Sequence, residues 1–306
     1  MKTLKIAGVL LAAIVVGLHA ADRREITFAD ARIFPESLTS TKDGTLYFGS
    51  LGQDAVYRAA PNESKAVVFI APKSNGLQSV LGVFADEKAG TLWVCASTTG
   101  GRGAPVVGET ALKAFNLKTG AFKTSYAFPN NGLCNDVAVA KDGTVYAADT
   151  TQGRVLRLKK GATALDVWAS DPVVLATVDG LAILDDGALY ANSVGQSTLM
   201  RIPIKADGSA GAITKLEPSR PLQGPDGMRT VGKMTLLLVE GGRLDEVTIR
   251  GDKAEVKVIR EGMPGITAVT LTGKTAYVAE ARLNERSTTT EIAPFRAIGI
   301  PYPAQK

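Results

Sequence analysis

Six self-similar hairpins, spaced 40 to 53 residues apart along a 306-residue chain, predict an all-β fold: a six-bladed β-propeller with four antiparallel strands per blade. The hairpins read "STKDGTLYFGS", "ADEKAGTLWVCAS", "VAKDGTVYAADT", "ILDDGALYANS", "TVGKMTLLLVEG" and "TLTGKTAYVAEA". Two further observations agree. The segments alternate with period two and carry turn glycines, which disfavours a helical repeat array of the same length. The composition, with 32 glycines, 6% aromatic residues and 2 cysteines, suits many short strands without a disulfide scaffold.

Each hairpin has a strand end, a Gly-containing turn and a second strand with an anchor near its middle. The anchors are Tyr47, Trp93, Tyr146, Tyr190, Leu237 and Tyr277, at intervals of 46, 53, 44, 47 and 40 residues. Further strand-like stretches follow each hairpin, such as "RVLRLKK" after the third and "LMRIPIK" after the fourth. The last anchor leaves too little chain for a complete blade. "REITFAD" near the start is therefore expected to supply its outer strand and close the ring. No linker or shift in composition divides residues 22–306, which are expected to form one domain.

The first 21 residues read differently. Lys2 and Lys5 precede an apolar run from Ile6 to Leu18 and then small residues, the layout of a secretory signal peptide; the run is short for a membrane-spanning helix. The expectation is a secreted or periplasmic protein, associated with a membrane only if the segment is not cleaved. Its removal lowers the formal charge from +5 to +3. With no Lys/Arg stripe, nucleic acid is not an expected partner.

The only histidine, His19, lies in that segment. Ser-His-Asp triads, Cys-His dyads and His-ligated zinc are therefore excluded from the rest of the chain. Any catalysis must rest on carboxylates, amides, hydroxyls, Lys, Arg or a hard metal ion. Cys95 and Cys134 either pair in an oxidising compartment or sit apart as small apolar residues.

The first strand of each blade lines the central channel of a propeller, so equivalent positions converge on one axis. Eleven residues before the anchors stand Glu36, Asn135, Asp179 and Asp226; the same count reaches Gly82 and Ile266 in the second and sixth units. Taken singly, "VDGL" and "PDGM" read as turns. Their shared phase points instead to a metal site. Three carboxylates at one mouth repel each other unless a cation neutralises them. Oxygen-only donors select a hard cation: Ca²⁺ first, with Mg²⁺ or Mn²⁺ in a tighter cavity.

At these residues the sequence resembles the regucalcin/gluconolactonase-like (senescence marker protein) propellers. The resemblance rests on Glu36 in "FPESLTSTKDG", Asn135 in "CNDVAVAKDG", Asp179 in "VDGLAILDDG" and Asp226 in "GPDGMRTVG". It implies that all four hold metal, that Asn135 also faces substrate, and that Asp226 or Asp179 is the general base of a metal-assisted lactone or ester hydrolysis. Asp179 stands where the family usually has Asn, which makes the site more anionic. Leu133 stands where gluconolactonase-type members often carry a sugar-binding Arg, so a less polar lactone or ester is the expected small-molecule substrate. The Gly-rich insertion "STTGGRGAPVVGET", Ser97 to Thr110, is either a lid carrying Arg102 over the site or a plain surface loop. Two other functions fit the same pattern: a non-catalytic binding propeller with a structural cation, and a metal-independent enzyme like strictosidine synthase.

Overall fold

A computed structural model describes residues 25–97, 109–130, 132–287 and 294–303. The expected signal peptide and Arg102 lie outside the described residues. Among those described, the strands form three four-stranded sheets, one of five and one of eight, within which consecutive strands run as antiparallel meanders. Their first strands are Pro35–Ser40 (meander I), Val80–Asp86 (II), Cys134–Val139 (III), Val178–Ile183 (IV), Pro225–Gly232 (V) and Ile266–Thr272 (VI). Each packs against the first strands on either side, in a cycle that runs I to VI and back to I. This is propeller topology.

The last meander holds only three strands of its own. Its fourth is Glu25–Phe28, which pairs antiparallel with Arg296–Pro301 through Glu25↔Ile298 and Ile26↔Ala297. The other edge of Glu25–Phe28 takes a short parallel pairing from Lys65–Ile70, the outer strand of meander I. Meanders VI and I thereby become one continuous eight-stranded sheet. This tie joins the two ends of the repeat.

The anchors explain what holds neighbours together. Tyr47 packs with Val80 and Val83 of meander II, Tyr146 with Val178 and Leu181 of IV, and Tyr190 with Met228 and Leu236 of V. Leu237, which has no ring, fills the same role against Ile266 and Val269. Each anchor thus buries between its own meander and the next, where a side chain of this size contributes about 1.5–3 kcal/mol. That is why one large residue recurs per unit: a single sheet has no partner for its face until the next one stacks on it.

Cys95 and Cys134 are bonded, with Cα atoms 5.1 Å apart, so the pairing alternative holds. The bridge ties the second strand of meander II to the first residue of the first strand of meander III. No helix among the described residues is long and apolar enough to cross a membrane.

Candidate metal centre

All six first strands share an irregularity at the same place. Pairing with the second strand is interrupted between Pro35 and Ser37, Val80 and Val83, Cys134 and Val137, Val178 and Leu181, Pro225 and Met228, and Ile266 and Ala268. The first residue of each interruption is Glu36, Leu81, Asn135, Asp179, Asp226 or Thr267. A bulge re-aims a side chain away from the pleat, and here it does so at one level of all six units. The third strand therefore starts with its polar residue at a position that the repeat turns out of the pleat.

The count from the anchors is corrected at two places. Leu81 and Thr267, rather than Gly82 and Ile266, hold the shared position. The span between paired residues differs: Phe84 faces Trp93 and Thr270 faces Tyr277, whereas Ala138 faces Tyr146. One residue more or less in the hairpin shifts the count by one without moving the bulge.

The Asp-Gly pairs are not turns. Both lie inside first strands, and each glycine is required by a close approach of the neighbouring strand. A Cβ on Gly180 would lie 2.6 Å from the Asp226 carbonyl oxygen, and one on Gly227 2.7 Å from that of Thr267. Only a residue without a side chain lets the bulges crowd together, and that crowding brings their carboxylates within reach of one another.

The carboxylate oxygens of Glu36, Asp179 and Asp226 lie within 4.8 Å of one another. Glu36 and Asp179 are buried, at 7% and 3% exposure, while Asp226 is half-buried. Asn135 joins them through its amide: Nδ2 donates to Asp179 Oδ2 at 3.0 Å and to Thr150 Oγ1 at 3.0 Å. Thr150 in turn donates to the Val178 carbonyl, so it can only accept from Asn135, which sets the amide's orientation. Asn192 supports the other side, donating from Nδ2 to the Asp226 carbonyl at 2.6 Å and accepting from the Gly180 N–H. All four residues expected from the sequence thus come to one place. The donor set, three carboxylates with an amide and no nitrogen or sulfur ligand, fits a hard divalent cation. Leu133 is buried in the hydrophobic core, with its N–H donating to Asp149 Oδ1.

The loops entering the bulges are clamped from the ends of the second strands. Ser50 Oγ donates to the Ile33 carbonyl in meander I, and Ser193 Oγ to that of Ala176 in IV. Asp149 accepts from Leu133 N–H and Arg154 Nε in III, and Glu240 accepts from Gln223 N–H and Arg220 in V. Meander II has Ala96 at this position, with Cys95 of the disulfide beside it.

Two charged residues escaped the sequence reading of the site. Asp136, next to Asn135, forms a bidentate ion pair with Arg229, at 2.8 Å to Oδ2 and 3.1 Å to Oδ1. Asp136 Oδ2 also accepts from the Leu181 N–H at 3.0 Å. Arg229 lines an axial cavity of about 290 Å³ bounded by residues of all six first strands, beyond the bulges. Asp136 in "CNDVAVA" and Arg229 in "PDGMRTV" both break apolar inner strands, and their opposite signs were a readable signal.

No family model matches the chain, and no curated protein does. Solved structures do, at low identity. The major Malassezia sympodialis allergen Mala s 1 superimposes with a TM-score of 0.72 at 13% identity, covering 90% of this chain and 95% of that one. A luciferin-regenerating enzyme gives 0.64 at 17%, covering 90% and 95%. A gluconolactonase from Xanthomonas campestris gives 0.63 at 18%, covering 92% and 91%. The chain therefore shares a β-propeller fold with these proteins.

Proposed function

We propose that this protein is a gluconolactonase-like hydrolase that opens lactones or related carboxylic esters at a divalent cation on the axis of a six-bladed propeller. The observation that carries the reading is the convergence of Glu36, Asp179 and Asp226 from three separate meanders, with their oxygens within 4.8 Å. So concentrated a charge calls for a cation, and the oxygen-only set suits Ca²⁺ first, then Mg²⁺ or Mn²⁺. When bound, the cation would neutralise the ring and polarise an ester carbonyl.

The chain's own residues divide the remaining work. Asp179 is 3% exposed and already accepts the Asn135 amide, so it is poorly placed to take a proton from water. Asp226, half-buried, is the base: it accepts a proton as the water oxygen bonds to the acyl carbon, and returns it to the alkoxide as the acyl C–O bond breaks. Asn135 and Thr150 keep Asp179 oriented. Leu81 puts an apolar side chain at the level of the ring, and Leu133 offers no polar group to a sugar, which favours a less polar substrate over a sugar lactone. Residues 1–21 are read as a cleaved signal peptide and 22–306 as one domain. The Cys95–Cys134 bridge supports secretion or a periplasmic location, since such bonds persist in oxidising compartments.

Thermal melting with EDTA and then added Ca²⁺, beside a panel of aliphatic and sugar lactones, tests the reading. The expected result is a Ca²⁺-dependent rise in melting temperature, and turnover that falls about 10²–10⁴-fold in Asp226→Asn. Cation binding without turnover on any lactone or aryl ester would make the protein a binding propeller. Turnover unaffected by EDTA would remove the cation from the chemistry.

A further inference from the structure

A second cation position lies on the same axis, and it is filled by a side chain. Arg229 comes from the first strand of meander V, three residues after Asp226, and is 9% exposed. Its guanidinium meets five oxygens from four strands. Nη1 donates to Asp136 Oδ2 and to the Met228 carbonyl, both at 2.8 Å. Nη2 donates to Asp136 Oδ1 at 3.1 Å, to the Val83 carbonyl at 3.2 Å and more weakly to that of Leu38 at 3.5 Å. Nε has no partner among the described residues.

This is an unusual setting for a guanidinium. Its flat fork matches the Asp136 carboxylate, but the three carbonyls come from strands I, II and V around it, and Nε goes unmet. A carboxylate with surrounding backbone carbonyls, oxygen only, is the donor set of a hard cation site. The cavity of about 290 Å³ beyond it, lined by Thr39, Ser40 and Thr270 among others, has room for the water that completes such a shell.

We infer that Arg229 is a built-in cation occupying an axial oxygen site formed by Asp136 and the carbonyls of Leu38, Val83 and Met228, and that removing its side chain converts this place into a binding site for Ca²⁺. The guanidinium holds the first strands of I, II, III and V together as an ion would. It cannot leave, so the strands that carry Asn135 and Asp226 stay joined whether or not the ring holds a cation. The inference does not depend on whether the ring binds metal.

The test is Ca²⁺ stoichiometry by equilibrium dialysis, with melting in EDTA and in Ca²⁺, for the wild type, Arg229→Met, Arg229→Lys, and the double variant Asp136→Asn/Arg229→Met. In EDTA, Arg229→Met is expected to melt roughly 10 °C below wild type, because Asp136 is left buried and uncompensated. Ca²⁺ should restore most of that loss and add one bound ion per chain over the wild type. Arg229→Lys keeps a fixed charge and should add none. The double variant has no charge to compensate and should fold without Ca²⁺ and gain no ion.

A folded Arg229→Met that binds no more Ca²⁺ than wild type and melts without regard to it overturns the inference. So does an Arg229→Met that stays unfolded in millimolar Ca²⁺ while the double variant folds. Placing Asp226→Asn in the Arg229→Met background separates the two sites. If the wild type binds no ion and Arg229→Met binds one that Asp226→Asn does not remove, the axial inference stands and the ring reading falls.

Discussion

Meanders II and III have the same backbone and opposite chemistry. Both interrupt pairing at the start of the first strand, and both turn one side chain out of the pleat there. Meander III presents Asn135 and braces its entering loop with Asp149 and Arg154. Meander II presents Leu81 at 7% exposure, has Ala96 where III has Asp149, and is joined to III by the Cys95–Cys134 bond. The bulge is thus a mount whose use is decided by one residue. In III the entering loop is held by a buried carboxylate of its own second strand; in II it is held by Asp54 of meander I, which accepts from the Ser79 N–H at 2.7 Å, and the second strand is bonded to the neighbour instead.

The clamp offers the sharpest way to break this comparison. Asp149 is fully buried and pairs with Arg154 at 2.8 Å, so Asp149→Ala strands a buried guanidinium and frees the loop before Asn135. The expected loss is about 3–5 kcal/mol in urea unfolding. Ser193→Ala, the equivalent change in meander IV, removes a neutral hydroxyl and should cost about 1 kcal/mol. Equal losses in the two variants would show that the charge of the clamp does not matter.

The bridge is the counterpart in meander II. Replacing both cysteines with alanine releases a loop with a sequence separation of 39 and should cost about 2–4 kcal/mol. Because Cys134 precedes Asn135, Ca²⁺ affinity should fall with it, measured by titration of the still-folded variant below its melting point. Unchanged affinity with reduced stability would confine the bond to holding the sheets.

Meander V adds a pH dependence to its clamp. Burial pushes the Asp245 carboxyl up to about 6, against the pull of Arg220 at 2.6 Å. Burial also raises its neighbour Glu240, but the Gln223 N–H, Arg220 and Arg243 together bring that group below its ordinary value. The signs are opposite. The folded pKa of Asp245 is above the unfolded one, so its contribution is full below pH 3.8 and is lost as the pH rises through about 6. Glu240 contributes above pH 4.5 and loses that on acidification. Asp245→Asn removes the first effect and leaves the Gln223 N–H, Arg220 and Arg243 on Glu240. Between pH 4 and 7 its stability should therefore rise relative to wild type by about 1–3 kcal/mol, seen as a pH-dependent difference in melting temperature. A constant difference would mean that Asp245 is ionised in the fold throughout.

Much of this was legible in the sequence because it recurs. Six turns and six anchors reveal a repeat even where one anchor is Leu237, since what recurs is the burial of a large side chain against the next unit. The candidate ligands were legible by phase: Glu36, Asn135, Asp179 and Asp226 each mean little alone. What phase counting missed is what does not repeat. One residue more or less in a hairpin hid Leu81 and Thr267. The Asp136–Arg229 pair joins strands 93 residues apart, a distance no local pattern reports. The disulfide depends on the stacking of II against III, which spacing alone does not provide.

The smallest expected effect tests the comparison most directly. If the bulge is a neutral mount, meander II can be given the chemistry of III by Leu81→Asn. The backbone already crowds there, since a Cβ on Gly82 would lie 2.2 Å from the Asn135 carbonyl oxygen, so a side chain at position 81 is aimed by the same geometry as Asn135. The new amide can add one neutral oxygen beside the ring, a gain in Ca²⁺ affinity of about 1 kcal/mol, or roughly fivefold. It also replaces the apolar side chain that would face a lipophilic lactone. KM for aliphatic lactones should therefore rise by a similar factor, while kcat, which the proposed mechanism assigns to Asp226, stays near its original value. A parallel fall in kcat for all substrates would instead show that Leu81 supports the ring, and that the two meanders differ in more than the residue they display.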